Sequence, residues 1–147
     1  MILNIIMNTV MWHYFRLLKL KKGNVTNEIN NKFTIGINST RIRYNNENIK
    51  THAEMDAMEK LKSKMIRYNI KKKIIVDLYV IRHTKTGLLA SSAPCYHCTK
   101  ELSKNKWLHI NNLYYSKNDG CIECVKFKEW VEKEDHHVTK GWKNIKV

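Results

Sequence analysis

The chain is poor in three things. It has one proline and five glycines in 147 residues, and 13 acidic side chains against 27 basic ones. It also has no apolar run long enough to cross a bilayer: residues 1–12 are largely apolar, but a spanning helix needs about 20 such residues. Scarce proline and glycine, with no repeat and no low-complexity tract, argue against a linker, so one domain over residues 1–147 is expected. Residues 1–12 lack a basic leading region and a small-residue cleavage site, so neither a secretory leader nor a membrane anchor is expected. The length suffices for one real core and falls short of two, and 43% hydrophobic residues exclude a disordered tail.

The shortage of acids leaves a net charge of +14. Such a charge draws in phosphate-bearing ligands, whether a nucleotide or a nucleic-acid strand. A uniform drift toward lysine would raise the charge without making a groove. The lysines are both scattered and clustered, so both readings stand. Four cysteines fall in two Cys-x-x-Cys pairs, Cys95/Cys98 and Cys121/Cys124. Without a leader, metal-bound thiolates in a reducing cytoplasm fit better than a disulfide framework.

Periodicity gives the expected elements. Leu3, Ile6, Met7, Val10, Met11, Tyr14, Leu17 and Leu18 recur at helical spacing and predict a first helix over 2–21, ended by Gly23. Residues 24–38 read as a weak hairpin turning at Asn30-Asn31-Lys32, and 39–50 as a polar loop. A second helix starts at Thr51, with Met55, Met58, Leu61 and Met65 on its buried face. The near-continuous apolar run over 74–82 predicts a central strand covered on both faces. A helix from Cys95 to about Lys104, a strand over 111–116, a turn at Asn118-Asp119-Gly120 and a helix around 125–133 follow. Alternating strands and helices predict a three-layer α/β/α sandwich on a mixed sheet.

Two clusters carry chemistry: Thr51-His52-Ala53-Glu54 and Pro94-Cys95-Tyr96-His97-Cys98. One imidazole and two thiols three positions apart make a zinc site with an open fourth position. Two thiolates and a neutral imidazole balance the charge of Zn²⁺, and a water in the open position would have its pKa lowered to roughly 7. Each ligand segment opens a helix, whose N-terminal dipole favours thiolate and developing anion alike. Glu54, two residues past His52, can take the water proton without ligating the metal. Competing readings exist. Thr51-x-x-Glu54 is also a capping box. The two Cys-x-x-Cys pairs, 22 residues apart, approach a structural four-cysteine site, though that would leave His52 and Glu54 unexplained. Cys121 and Cys124 are therefore expected to be packed or exposed thiols, and His97, His136 and His137 non-ligands.

At these residues the chain resembles the zinc-dependent cytidine and deoxycytidylate deaminase superfamily, and within it the short single-domain members. The resemblance runs from about Gly36 to Trp142 and rests on His52 to Ala57, Ser92 to Cys98 and Tyr114 to Gly120. The H-x-E…P-C-x-x-C pattern is the known signature of such enzymes. The resemblance implies a mixed, about five-stranded sheet with helices on both faces, and zinc held by His52, Cys95 and Cys98. Hydrolytic attack would fall on C4 of cytosine. Glu54 would carry the water proton to N3 and then to the departing amine. The backbone N–H of Ala53 would face the base carbonyl, and the backbone of Ser92 and Ala93 would line the amine-leaving side. Asn38 falls where the family places an asparagine contacting sugar or base, and equally where a strand-end turn residue would fall. Four features bear on the substrate. Glu54 and Pro94 are separated by 39 residues, and Ser91-Ser92-Ala93 lacks the tryptophan of polynucleotide-editing enzymes. The first ligand is a histidine, and the first hairpin strand is polar. Together they favour a free nucleotide or nucleoside (dCMP, CMP or cytidine-like). A single-stranded DNA or RNA cytosine or adenine deaminase, and a zinc-stabilised binding module without turnover, remain as alternatives. Self-association is compatible with the resemblance.

Overall fold

A computed structural model describes residues 12–18, 34–42 and 48–138. The elements in chain order are β1 (Trp12–Leu18), β2 (Thr34–Ile37), β3 (Ser39–Ile42), β4 (Asn48–Thr51), α1 (Ala53–Arg67), β5 (Ile74–His83), β6 (Leu89–Ala90), α2 (Tyr96–Ser103), β7 (Leu108–Ser116), β8 (Ile122–Lys126) and α3 (Phe127–Val131). The protein is thus mixed α/β. One sheet runs in the order β2-β1-β5-β7-β8, with β6 paired to the end of β5. β5 and β7 are parallel and the other pairings are antiparallel, so the sheet is mixed.

The parallel pair organises the core. Along β5, Ile74, Val76, Leu78 and Val80 are buried and their alternates are not, with Ile75 44% exposed. The opposite face is partly covered at Asp77, Tyr79 and Ile81, so the burial has the period of two of a strand with one dominant core face. That face meets Ala53, Ala57, Leu61 and Met65 of α1, Leu102 of α2, Leu108, Ile110, Leu113 and Tyr115 of β7, and Phe127 and Trp130 of α3 in one cluster. All three described helices feed this cluster. On β5 and β7, Tyr79 and Tyr114 stack with ring centroids 4.1 Å apart. The ladder slips between Val76 and Leu78, where Asp77 Oδ1 accepts from the backbone N–H (3.1 Å) and Nδ2 (2.9 Å) of Asn112.

Three expectations change. Residues 12–18 lie in a strand, not in a helix over 2–21; the rest of that span falls outside the described residues. Trp-His-Tyr-Phe-Arg-Leu-Leu is rich in strand-favouring aromatics. It pairs on both sides, with β2 from Tyr14↔Ile37 to Leu17↔Thr34 and with β5 from Trp12↔His83 to Leu18↔Asp77. Of the predicted hairpin, Thr34–Ile37 is a strand, while its turn and incoming strand lie outside the described residues. The loop over 39–50 contains an antiparallel ladder, from Ser39↔Thr51 to Ile42↔Asn48, whose pairing needs no apolar alternation in the sequence. Lastly, Val125 and Lys126 end β8 rather than begin the last helix.

α1 sits unusually close to β2, and Gly36 is the reason. A Cβ on Gly36 would lie 1.9 Å from the Ala53 carbonyl oxygen, 2.5 Å from Ala57 N and 2.7 Å from Ala57 Cβ. Two of these atoms are backbone and cannot swing aside. The closest-packed line on α1 is accordingly Ala53-Ala57-Leu61-Met65, while Met55 and Met58 are only partly buried. Gly36→Ala should force the first turn of α1 off the sheet and destabilise the fold by about 3 kcal/mol or more. Its urea midpoint should fall accordingly; an unchanged midpoint would disprove the close approach. No described helix is long and apolar enough to cross a membrane.

Candidate metal centre

The site assembles at the carboxyl ends of β5 and β7, where two helices begin. The chain leaves β4 at Thr51, turns at His52 and enters α1 at Ala53. His52 is the N-cap and makes no side-chain cap bond, which leaves its ring free to turn toward α2. Thr51 closes a strand and does not cap the helix, so the capping-box reading of Thr51-x-x-Glu54 is not what the structure holds. Asn38 supplies part of the missing cap, since its Oδ1 accepts the Ala53 N–H at 2.7 Å. The Ala53 N–H, expected to face a base, is thus engaged within the protein. Asp56, a residue the sequence did not single out, ties the same corner to the sheet. Its Oδ2 accepts from Ile37 N at 2.8 Å and from Lys60 Nζ at 2.7 Å. Only the Asp-x-x-x-Lys spacing hinted at a role, and it speaks for the ion pair alone.

The second arm is built on a buried serine pair. Ser92 Oγ donates to the Val80 carbonyl at 2.6 Å and accepts from Ser116 N at 2.8 Å. Ser116 Oγ donates to the Ala90 carbonyl at 2.7 Å and accepts from Arg82 N at 3.0 Å. Ser92 N–H donates to the Ser116 carbonyl at 3.0 Å. These bonds pin the irregular segment that runs through Ala93 and the buried Pro94 into Cys95. Ser92 therefore meets its neighbours through a wholly engaged hydroxyl, and Ala93 packs against the core. Ser92→Ala would leave the Val80 carbonyl and the Ser116 N–H short of a partner inside the protein, at about 1–3 kcal/mol. Its thermal midpoint should drop, with a faster loss of metal to a chelator. A variant as stable as wild type would show the pair to be dispensable.

Cys95 is the N-cap of α2, and its Sγ accepts from Cys98 N at 3.5 Å. His52 Nδ1 stands 3.2 Å from Cys98 Sγ and 3.6 Å from Cys95 Sγ. All three ligand atoms lie within 4.8 Å of one another. A tetrahedral zinc with its usual Zn–S and Zn–N lengths separates nitrogen from sulfur by about 3.6 Å, so the three fit that ion. Among the described residues this is the one group of three or more such side chains close enough to hold a metal. Cys121 and Cys124 are exposed and outside it, and His97, His136 and His137 are outside it too. The His136–His137 segment instead docks beside α2: the His137 carbonyl accepts from Tyr96 N at 2.9 Å, and the His136 ring meets Trp130 edge-on.

The electrostatics suit a cation. With no ion bound, the Cys95 thiol is pushed well down, chiefly because Cys98 hydrogen-bonds to it, with His52 adding to the effect. Cys98, the donor of that pair, is pushed up. His52 is raised, first by its bond to Cys95. A metal that binds such a cluster takes the deprotonated ligands, with release of protons. Glu54 is 5% exposed. Burial lifts its carboxyl to about 7, and it feels the charges of both His52 and Cys95. A carboxyl near neutrality beside a three-ligand cation site can both accept and return a proton.

No protein-family model, no curated protein and no solved structure matches the chain.

Proposed function

We propose that this chain is a zinc-dependent hydrolytic deaminase that converts cytosine to uracil in a free nucleotide or nucleoside. One observation carries the reading: three ligands converge with no fourth protein ligand among the described residues, and a buried carboxyl follows the first of them by two positions. His52, Cys95 and Cys98 would hold the ion. When bound, zinc supplies Lewis acidity and brings the pKa of a coordinated water to about 7. The chain's own residues do the rest. Glu54 takes a proton from the water and delivers it to N3 of the base, then passes a proton to the departing amine. The C4–N bond breaks, a C4 carbonyl forms, and ammonia leaves. Asn38, through Ala53, holds the start of α1 and hence the relation of Glu54 to the ligands. The deaminase-like three-layer sandwich of about five strands, and a cytoplasmic setting, belong to the same proposal; the described helices supply one of its two outer layers.

Purified protein should contain about one zinc and release ammonia from dCMP, CMP, deoxycytidine or cytidine. A zinc-loaded protein inactive on all four would sink the reading. The net charge of +14 favours a second reading, a single-stranded nucleic-acid substrate. Sequencing an incubated strand for C-to-U or A-to-I change tests it.

A further inference from the structure

Positive charge is spread unevenly along α1. At the metal end the signs are mixed: Arg82, Lys85 and Lys117 stand among Asp119, Glu123 and Asp135, and Lys117 pairs with Asp119 (3.8 Å) and Glu123 (3.4 Å). The opposite end is different. There α1 finishes at Arg67, the turn into β5 carries Lys71, Lys72 and Lys73, and the turn between α2 and β7 carries Lys104 and Lys106. The two turns are neighbours. β5 and β7 are parallel and begin level, at Ile74↔Leu108, and Ile74 N–H donates to the Trp107 carbonyl at 3.0 Å. All six cations are exposed. Residues 66–73 and 101–107 contain a single acid, Glu101, which pairs with Lys104 at 3.0 Å. Among the described residues, a uniform drift toward lysine does not produce this asymmetry between the two ends of α1.

Lys71, Lys72 and Lys73 follow one another through a bend into β5, and the turn that carries Lys104 and Lys106 lies beside them because neighbouring strands are about 4.8 Å apart. Cations at such spacing repel one another, and an array of anions at comparable spacing relieves that repulsion while releasing its own counterions. Ile70 and Trp107 within these turns pack inward against the core, while Ile66 of α1 and Ile75 of β5 stand exposed beside them. Two isolated aliphatic side chains fall short of the broad Trp-, Phe- or Leu-bearing apolar face that a membrane-seeking surface would need. We propose that this edge is an anchoring surface for the phosphate backbone of a nucleic-acid strand. It lies one length of α1 from the metal centre, about 22 Å for a 15-residue helix. The inference stands whether or not the chain deaminates anything, because binding is read without turnover.

The test is fluorescence anisotropy of a labelled 20-nucleotide single strand against the zinc-loaded full chain. Neutralising about five phosphates predicts an affinity loss of roughly 100-fold between 50 and 200 mM salt. The triple variant K71Q/K72Q/K73Q should bind about tenfold or more weakly at low salt, with its salt slope shallower by about 2. A second triple that removes the same charge elsewhere, K85Q/K117Q/K128Q, should bind nearly as wild type. Zinc content and melting temperature should be unchanged in the first triple, since its lysines make no described contact with an acid. Equal weakening in both triples would overturn the proposal, because net charge alone would then explain binding. So would an absence of binding at low salt, or tighter binding to anionic phosphatidylserine vesicles than to the strand.

Discussion

Glu54→Gln should keep its zinc and lose ammonia release by at least about a hundredfold, the lower range for removing a positioned proton carrier. The substitution keeps size and leaves the ligands in place, but an amide cannot accept and return a proton. Zinc stoichiometry and turnover on the best substrate, measured on the same preparation, separate this outcome from a folding defect. Retained turnover would remove Glu54 from the chemistry. The same variant carries a pH signature independent of catalysis. Burial raises the Glu54 carboxyl from 4.5 to about 7 in the folded chain. Between those values the folded state binds more protons than the unfolded one, so this group's contribution to stability falls as pH rises through the window and is level above it. The gap corresponds to about 3 kcal/mol. Urea unfolding of chelator-treated wild type and variant at pH 5 and pH 8 should show the glutamine gaining on wild type at the higher pH. His52 and Cys95 also titrate in both proteins, so the difference reports Glu54 together with its coupling to them. A difference independent of pH would mean that the carboxyl is not held in a dry site.

Cys98→Ser should lose the metal and much of the fold's stability in one step. Cys98 is 1% exposed, with His52 Nδ1 3.2 Å from its sulfur. A serine hydroxyl at that position stays protonated and offers zinc a poor ligand, so binding free energy that had supported the folded chain is forfeited. Bound zinc should fall from about one per chain to near zero. The thermal midpoint should drop to that of wild type stripped by a chelator, and added zinc should not restore it. The core cluster of β5, β7 and the three helices remains, so collapse to an unfolded chain, as in metal-dependent fingers, is not expected. Cys124→Ser is the control. Its thiol is exposed and outside the ligand group, so zinc and midpoint should stay as in wild type. Metal lost from Cys124→Ser, or kept in Cys98→Ser, would revive a four-cysteine centre.

Some of this was legible in the residues alone. Local chemistry fixes what a short segment can do: His52, Cys95 and Cys98 are metal-binding side chains wherever they lie, and Pro94 before Cys95 marks a helix start. The apolar run at Ile74 and the helical spacing of Leu61 and Met65 report burial, which each segment carries in its own pattern. Other features depend on partners distant in sequence. Trp12 to Leu18 has aromatic and aliphatic residues dense enough for either helix or strand, and pairing with β2 and β5 chose the strand. Ser39 to Thr51 forms a ladder through backbone hydrogen bonds that leave no mark on side-chain pattern. The serine pair, 24 residues apart, and the carboxamide of Asn38 on Ala53 are contacts no spacing announces. Sequence by itself determined which groups could bind an ion and move a proton. Only the tertiary structure decided that they meet, because convergence depends on how closely α1 can approach β2 at Gly36 and how Ser92 holds the segment that leads to Cys95.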